Sequence, residues 1–192
     1  MVRDVIINTI SQHADAVSSL GDGELQVITE MVHACVNTLQ QGGKILLCGN
    51  GGSAADAQHL AAEFVVRFRE NRRALAALAL TTDTSALTAC GNDFSFDEIF
   101  SRQVEALGKQ EDVLIAISTS GNSPNVVQAV RAAKEMSIPV IGITGKKESS
   151  MTSMCDICLR VPSEVTARIQ EVYMLVGHIL CGLVEDEAIR DE

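Results

Sequence analysis

The sequence predicts an α/β protein built on a doubly wound, five-stranded parallel sheet. Five short apolar runs, rich in Val, Ile, Leu and Ala, have the length and composition of buried strands. Helical patterns separate these runs, and such alternation is typical of parallel sheets with helices on both faces. The predicted strands are residues 44–48, 76–80, 113–117, 139–144 and 157–161.

Helices are expected between the strands, and two more precede the first strand. Pro124 stands at the first position of one helix, with Ser123 as its N-cap. No linker, repeat or low-complexity segment interrupts the pattern, so residues 1–192 are expected to form one domain with an N-terminal helical segment, residues 1–41. The predicted helices are residues 1–19, 23–41, 53–66, 96–107, 124–136 and 164–186, with a short helix within 81–93.

Net charge and the apolar runs exclude several classes of protein. A formal net charge of −10 provides no basic field to capture the phosphates of duplex nucleic acid. The longest nearly apolar run, residues 172–184, contains a histidine and is too short to span a bilayer. No basic segment followed by an apolar one opens the chain, so no secretory signal is expected. We therefore expect a cytoplasmic protein with no nucleic-acid or membrane partner.

Six cysteines are scattered along the chain, unlike the disulfide framework of a small secreted protein, and are expected to be reduced. The closest pair, Cys155 and Cys158, is assigned to a strand that ends before Pro162. Residues three apart on a strand point to opposite faces, so the two thiols are not expected to converge on one ion. A structural role is therefore favoured over a redox or metal-binding pair.

Two loops at predicted strand ends have the small, donor-rich composition of ligand-binding loops. Residues 49–53, Gly-Asn-Gly-Gly-Ser, would let a ligand approach the backbone at a helix N-terminus, although such turns are also common without a function. Residues 118–123 contain four hydroxyl side chains, and helix capping explains only that of Ser123. A cradle for a phosphate monoester is favoured there. It is expected to be neutral, because no Lys is nearby in sequence. The Gly-Lys-Ser/Thr ending of a nucleotide P-loop is absent.

Two helices carry candidate catalytic or metal-binding side chains. His59 and Glu63, four residues apart, share one face, which suits a metal or an acid–base pair; a surface contact is the alternative. Gln170 and His178 on the final helix are about 12 Å apart along its axis and about 80° around it. One metal could take both only at the limit of their reach, unless different subunits supply them. For His178 a satisfied core histidine is the alternative, and its apolar helix suggests a homo-oligomer.

Six segments, in their order and spacing, resemble the phosphoheptose isomerases, a family with the sugar isomerase (SIS) fold. The resemblance runs over nearly the whole chain and implies a homotetramer with sites at subunit interfaces. It implies conversion of sedoheptulose 7-phosphate to D-glycero-D-manno-heptose 7-phosphate, for heptose of a surface glycan such as the lipopolysaccharide core. The segments are residues 49–53, 59–63, 67–70, 91–94, 117–123 and 167–171, the last followed by His178.

The resemblance also implies roles for individual residues. Zinc, one ion per subunit, would be held by His59, Glu63, Gln170 and His178. The phosphate cradle would be formed by Ser118, Thr119, Ser120 and Ser123. The other substrate-contacting positions would be Asn50, Gly51, Gly52, Ser53, Arg67, Asn92, Asp93 and Gln170. Ala167 stands where some of these isomerases have Asp, so a substrate role of that carboxylate is missing or filled elsewhere.

Aldose–ketose isomerisation moves a proton between C1 and C2, most simply through an enediol. It needs a base near that edge of the sugar and an acid near its oxygen atoms. We expect Glu63 to shuttle the proton and His178 to serve as acid and base in ring opening. Glu63 cannot easily be both a tight zinc ligand and a free base, so the zinc would be structural or Lewis-acidic, with partial ligation by Glu63.

Two alternatives belong to other functional classes. A non-catalytic, replication-initiator-associating relative has the same fold and a similar tetramer, but lacks the acidic residue at the position of Glu63 and the histidine at that of His178. The sequence keeps both residues, which favours an isomerase. A sugar-phosphate-sensing module is usually fused to a DNA-binding domain, and the sequence includes no such domain.

Overall fold

Five parallel strands form one sheet in the computed structural model, which describes residues 1–190. Their spatial order is β2-β1-β3-β4-β5, so the direction of winding changes between β1 and β3. The strands are β1 Ile45–Gly49, β2 Ala77–Ala79, β3 Val113–Ile117, β4 Val140–Gly145 and β5 Ile157–Val161. All five predicted strands are confirmed. In the register of the sheet, Ile45 of β1 lies beside Ala77 of β2 on one side and beside Val113 of β3 on the other.

Helices cover both faces of this sheet. They are α1 Val2–Ser18, α2 Asp22–Gln40, α3 Gly52–Val65, α4 Thr84–Asp93, α5 Ser101–Leu107, α6 Pro124–Glu135, α7 Ser150–Met154 and α8 Thr166–Arg190. Alternate strand residues point to opposite faces, so Ile45 and Leu47 join a core with α2, α3 and α8. Leu46 and Cys48 join a second core with α5, α6 and α7. The predicted doubly wound α/β class is therefore confirmed.

The N-terminal helical segment contributes to the first core rather than standing apart. α2 buries Ile28, Met31 and Cys35 against the sheet and α8, while α1 buries Ala16 in the same core. Residues 191 and 192 of the expected domain lie outside the described residues. None of the helices in residues 1–190 combines the length and hydrophobicity that a membrane span requires.

Some predicted element boundaries are wrong. The expected helix 96–107 is two pieces, a 3-10 turn Phe96–Glu98 and α5, because the chain turns where Ile99 and Phe100 enter the second core. The short helix expected within 81–93 is α4, which continues through Asp93, so Gly91, Asn92 and Asp93 belong to its last turn. α7 was not expected, since five residues are too few to show a helical period.

The expectation that Cys155 and Cys158 point apart is also wrong. Cys155 lies outside the strand: it follows α7 directly, and β5 begins only at Ile157 after a bend at Asp156. Both sulfur atoms therefore lie beside Gly142 of β4. All six cysteines are free thiols.

A buried ion pair joins α8 to the segment that follows α3. The carboxylate of Glu185 is fully buried and accepts hydrogen bonds from the backbone N–H groups of Phe68, Arg69 and Glu70, at 2.9, 2.8 and 3.0 Å. Its Oε2 also lies 3.2 Å from Nε of the buried Arg72. We call Glu185, Arg72 and this backbone turn the clasp.

Arg72 connects the clasp to the C-terminal end of α3. Its Nη2 donates to the carbonyl of Glu63 at 2.8 Å and its Nη1 to the carbonyl of Phe64 at 2.9 Å. These are carbonyls of the last helical turn, which have no partner within the helix. The clasp therefore fixes the distance between α3 and α8.

Burial by itself would raise the pKa of the Glu185 carboxyl. The three backbone donors and the Arg72 guanidinium outweigh burial, and the pKa lies below the ordinary value of 4.5. A carboxyl with a lowered pKa contributes stability at neutral pH, and this contribution is lost as the pH falls through its folded-state pKa. The clasp should therefore weaken in acid.

We expect Glu185→Gln to lower the free energy of unfolding at pH 7 by about 3 kcal/mol, because it leaves the buried Arg72 charge unpaired. The loss should shrink as the pH falls from 4.5 through the lower pKa of the folded-state carboxyl, below which the wild-type side chain is also neutral. Urea unfolding at a series of pH values measures both effects. The control is Glu187→Gln, in an exposed pair with Arg190, which should cost less than about 0.5 kcal/mol. Equal losses for the two variants would contradict the role of the clasp.

Candidate active site

The two loops predicted to bind a ligand lie side by side at the carboxyl edge of the sheet. One follows β1 and the other follows β3, on either side of the point where the winding reverses. Open α/β sheets bind their ligands in the crevice at such a point. A reciprocal amide pair joins the loops: Asn50 and Asn125 each donate to the other's Oδ1 at 2.8 Å.

Asn125 was not among the predicted site residues. It is the second residue of α6 and is buried, and its Oδ1 also accepts from the N–H of Val126. A buried amide among the apolar residues of α6 is unusual, because burying such a group is costly unless it is hydrogen-bonded. The only sequence signal is its place directly after Pro124.

In the loop after β1 the glycines and Ser53 face α8. Gly51 has a positive φ of 56°, and a Cβ atom at Gly52 would stand 2.5 Å from Nε2 of Gln170. The hydroxyl of the buried Ser53 is 2.9 Å from that of Tyr173. Gly52 is thus needed for the close approach of Gln170, and Ser53 is engaged by α8 rather than open to the crevice.

In the hydroxyl loop, residues 118–123, three serine hydroxyls lie within hydrogen-bonding distance of one another or of a shared partner. Oγ of Ser118 lies 3.3 Å from that of Ser120 and 3.0 Å from that of Ser123. Ser123 occupies the N-cap of α6, as predicted, but its side chain makes no capping hydrogen bond. Capping therefore does not account for this hydroxyl. Three hydroxyls converge at a helix N-terminus, where an anion is favoured.

The cradle was expected to be neutral because no Lys is nearby in sequence, but in the structure two lysines and two carboxylates lie near it. Thr119, Ser120 and Asn122 line a cleft with a volume of about 310 Å³ together with Lys146 and Lys147, which follow β4. The sequence separates these lysines from the hydroxyl loop, but β3 and β4 are neighbours, and the backbone N–H of Gly145 donates to the carbonyl of Thr119 at 3.0 Å. Glu148 and Glu164 line the same cleft, and Nζ of Lys147 lies 3.1 Å from Oε2 of Glu164, so the cleft combines hydroxyls with charges of both signs.

The predicted His–Glu face of α3 meets the predicted histidine of α8. Nε2 of His59 is 2.9 Å from Nε2 of His178 and 3.5 Å from Oε1 of Glu63. The rings of His178 and Phe68 are stacked, with centroids 5.6 Å apart and an angle of 20° between their planes. His178 is partly exposed, so it is not the enclosed core histidine that was the alternative interpretation.

The donor set of this cluster suits zinc. Two imidazole nitrogens on one tetrahedral zinc ion stand about 3.3 Å apart, so a small separation of the His59 and His178 rings would admit an ion between them. Within residues 1–190, no three His, Cys, Asp or Glu side chains are already spaced as a metal site. The residues therefore fit a zinc ion after a small adjustment of their rotamers.

Gln170 is not beside the other three predicted zinc ligands. Its Nε2 donates to Oδ2 of Asp56 at 2.7 Å, one turn of α3 before His59. The hydroxyl of Tyr173 donates to the same oxygen, also at 2.7 Å, and burial raises the pKa of that hydroxyl. Asp56 and Tyr173 were not predicted as site residues, although Asp56 precedes His59 and Glu63 at helical spacing.

Three other predicted site residues lie outside these contacts. Arg67 is exposed, beyond the end of α3, and donates to Oδ1 of Asn71 at 3.3 Å. Asn92 and Asp93 are exposed and are hydrogen-bonded to each other at 2.7 Å. Their predicted substrate roles remain predictions.

The loop after β1 and the His59 cluster lie at different points along α3. His59 is seven residues from Gly52, the first residue of α3, which corresponds to about 10 Å along the helix. Glu63 is one turn further away. The structure thus contains two groups of functional side chains, one at the sheet edge and one along the α3–α8 contact.

Comparison with known proteins identifies the class. The family model of the SIS domain matches residues 10–145. The chain therefore belongs to the SIS-domain family. Within that family, curated relatives named phosphoheptose isomerase resemble it over almost their full length. That of Paramagnetospirillum magneticum is 57% identical over 176 residues, 92% of each chain. That of Campylobacter jejuni is 53% identical over 169 residues, 88% of this chain and 89% of the relative.

Solved structures agree with these relatives. The phosphoheptose isomerase of Neisseria gonorrhoeae has a TM-score of 0.91 and 43% identity, covering 97% of this chain and 100% of that one. The corresponding structure from Francisella tularensis has a TM-score of 0.93 and 37% identity, covering 97% and 99%. The chain is thus an isomerase of the phosphoheptose isomerase group. These findings give no support to the initiator-associating alternative.

Proposed function

We propose that the chain converts sedoheptulose 7-phosphate to D-glycero-D-manno-heptose 7-phosphate. The observation that carries the proposal is the contact of His59, Glu63 and His178 in a protein that also has a hydroxyl-rich cleft. An aldose–ketose isomerase needs an anchor for the phosphate and, at the other end of the sugar, groups that move protons. The phosphoheptose isomerase relatives support the sugar phosphate as substrate.

In this proposal the hydroxyl loop anchors the phosphate. The hydroxyls of Ser118, Ser120 and Ser123 would donate to its oxygen atoms, and free N–H groups at the start of α6 would add to them. Lys146 would add a positive charge that the loop lacks, whereas Lys147 is paired with Glu164 at 3.1 Å. Anchoring at one end would hold the sugar for reaction at the other.

Glu63 would carry the proton between C1 and C2. Its carboxylate is partly buried and faces His59 rather than a permanent positive charge, so it remains available as a base. His178, held by stacking on Phe68, would exchange protons with the sugar oxygens during ring opening and enediol formation. The clasp keeps α3 and α8 at the separation that places these two groups together.

Replacing the proton shuttle tests this mechanism. We expect Glu63→Gln to lower turnover of sedoheptulose 7-phosphate by about 10²-fold or more, the usual contribution of a general base. NMR of the sugar phosphates measures turnover, and circular dichroism checks that the fold is intact. The control is Glu135→Gln on the exposed side of α6, which should leave turnover unchanged. Near wild-type turnover by folded Glu63→Gln would exclude Glu63 as the shuttle.

We further propose that one zinc ion per subunit is held by His59, Glu63, Gln170 and His178. The two imidazoles and the carboxylate already approach one another, whereas Gln170 would have to leave Asp56. When bound, zinc would supply a Lewis acid for the sugar oxygens or tie α3 to α8. The partial exposure of His59 and His178 leaves access for an ion.

Zinc content and thermal unfolding test this site without reference to activity. Protein purified with zinc should contain bound zinc by elemental analysis, and a chelator should remove it and lower the melting temperature. We expect His59→Gln to lose the bound zinc and the effect of the chelator. The matched control is His33→Gln, an exposed histidine on α2, which should keep both. Equal zinc content in the two variants would place the metal elsewhere.

The proposed assembly is a homotetramer with sites at subunit interfaces. Leu175, Ile179 and Leu183 form an exposed apolar row on α8, at 39%, 39% and 45% exposure, beside His178. A second copy packed on this row would remove it from water and could bring its own hydroxyl loop to the His59 cluster. Such an arrangement would unite the two groups of side chains that are separate within one chain.

Charge on the apolar row should prevent this assembly. We expect Ile179→Glu combined with Leu183→Glu to convert the tetramer to smaller species and to abolish turnover. Analytical ultracentrifugation gives the mass, and circular dichroism the fold. Leu107→Glu, at similar exposure on α5, is the control and should remain tetrameric. A monomeric wild-type protein with full activity would contradict sites at subunit interfaces.

We place the reaction in the cytoplasm, in the supply of heptose to a surface glycan such as the lipopolysaccharide core. Six free thiols suit a reducing compartment. The substrate is a phosphorylated sugar of the kind that metabolism makes within cells. The proposed partners are therefore this small molecule and further copies of the same chain, with no nucleic acid or membrane.

A further inference from the structure

Cys155 and Cys158 form a thiol pair that the proposed reaction does not use. Both side chains are half-buried and lie at the outer end of the sheet, on the edge strand β5 and the bend before it. A Cβ atom at Gly142 would stand 2.6 Å from Sγ of Cys155 and 3.3 Å from Sγ of Cys158. The two sulfur atoms therefore occupy the space that a side chain at position 142 would fill.

The surroundings divide the two thiols into a nucleophile and a proton donor. The neighbouring Cys155 thiol lowers the pKa of the Cys158 thiol; burial opposes this shift, and the Thr144 hydroxyl and the Arg160 guanidinium reinforce it. The neighbouring Cys158 thiol, together with burial, raises the pKa of Cys155. The thiolate is the reactive form of cysteine, so Cys158 is the more reactive of the two.

The other four cysteines differ from this pair. Cys35, Cys48 and Cys181 are buried in the cores, and burial raises the pKa of each thiol. Cys90 is half-buried, and burial together with nearby carboxylates raises its pKa as well. Of the six cysteines, only Cys155 and Cys158 are both partly exposed and close to a second thiol.

A short path of contacts leads from this pair to the hydroxyl loop. The N–H of Cys155 donates to the carbonyl of Met151 at 3.0 Å, and the N–H of Met151 donates to the carbonyl of Gly121 at 3.1 Å. The N–H of Ser150 donates to Oδ1 of Asn122 at 2.9 Å. Gly121 has a φ of 66°, and a Cβ there would stand 2.1 Å from Oγ of Ser149, so α7 packs directly on the loop.

We propose that Cys155 and Cys158 are a thiol–disulfide exchange site for low-molecular-weight disulfides, and that its oxidation displaces α7 and loosens the hydroxyl loop. The Cys158 thiolate attacks one sulfur of the small disulfide RSSR, which forms a mixed disulfide and releases RS⁻. The Cys155 sulfur then attacks Sγ of Cys158, loses its proton and expels the second RS⁻. The protein dithiol is oxidised by two electrons, and RSSR is reduced to two RSH.

Bond formation would act on α7. A disulfide holds its sulfur atoms at about 2.05 Å, closer than two sulfur atoms approach without a bond, and Cys155 directly follows α7. Drawing Cys155 toward β5 therefore pulls on the hydrogen bonds that α7 makes to Gly121 and Asn122. The hydroxyl loop would then bind the phosphate less tightly, and this last consequence rests on the proposed function.

Incubation of the full-length protein with glutathione disulfide, followed by mass spectrometry of tryptic peptides, tests the exchange site. Wild-type protein should lose two hydrogens, with a disulfide between Cys155 and Cys158 and no lasting glutathione adduct on either. Cys155→Ser should keep a stable adduct on Cys158, whereas Cys158→Ser should modify Cys155 at least about tenfold more slowly. A lasting adduct on wild-type Cys155 or Cys158, or modification of Cys90 alone, would overturn the exchange site.

Hydrogen exchange of the same samples tests the coupling without any sugar phosphate. Oxidised wild-type protein should exchange faster than reduced protein in peptides covering residues 118–123 and 149–154, and reductant should reverse the change. The double variant Cys155→Ser/Cys158→Ser should show no difference. Equal exchange in oxidised and reduced wild type would overturn the coupling.

Turnover then measures the consequence for catalysis. Oxidation should raise KM for sedoheptulose 7-phosphate about tenfold, in the usual range of coupling between sites, with a smaller effect on kcat, and leave the double variant unchanged. An unchanged KM would overturn the link from the thiol pair to phosphate binding. Absence of turnover by the reduced protein would instead contradict the proposed function, while the mass and exchange results would still decide this inference.

Discussion

The buried ion pair between Arg72 and Glu185 joins the three segments on which the His59 cluster depends. Glu185 receives three backbone N–H groups of the turn after α3, and Arg72 returns to the last carbonyls of α3. A buried charge pair is costly to desolvate, and it persists here because backbone N–H groups donate to Glu185 and backbone carbonyls accept from the Nη atoms of Arg72. The hydrogen bonds from Gln170 and Tyr173 to Asp56 fix the start of α3 against α8, and the clasp fixes the end of α3 beyond Glu63.

The sheet imposes the second constraint, because it brings together loops that are distant in sequence. The amide pair of Asn50 and Asn125 closes the gap between the ends of β1 and β3, and the lysines after β4 complete the same cleft. The two groups of polar side chains therefore lie at different places in one chain, one at this edge of the sheet and one along the α3–α8 contact.

Sequence reasoning succeeded where residues are close in the chain or repeat at a fixed period. The strands were found because parallel strands buried on both faces are continuous apolar runs, and His59 and Glu63 because a four-residue spacing fixes a helix face. It failed at Cys155, where one bend at Asp156 changes the direction of a side chain, and at α7, which is too short to have a period. It also missed Asp56 and Tyr173, whose partners lie more than one hundred positions away in sequence.

The sequence by itself determined the α/β class, the five strands, the two ligand-binding loops and the resemblance that identified the family, since each depends on local pattern or on motif order. Only the tertiary structure decided that lysines after β4 enter the cleft of the hydroxyl loop and that Gln170 turns to Asp56 rather than to His178. It alone decided that two thiols meet over Gly142. The reason is physical: such contacts are set by the register and packing of elements far apart in the chain, and local pattern carries no record of those distances.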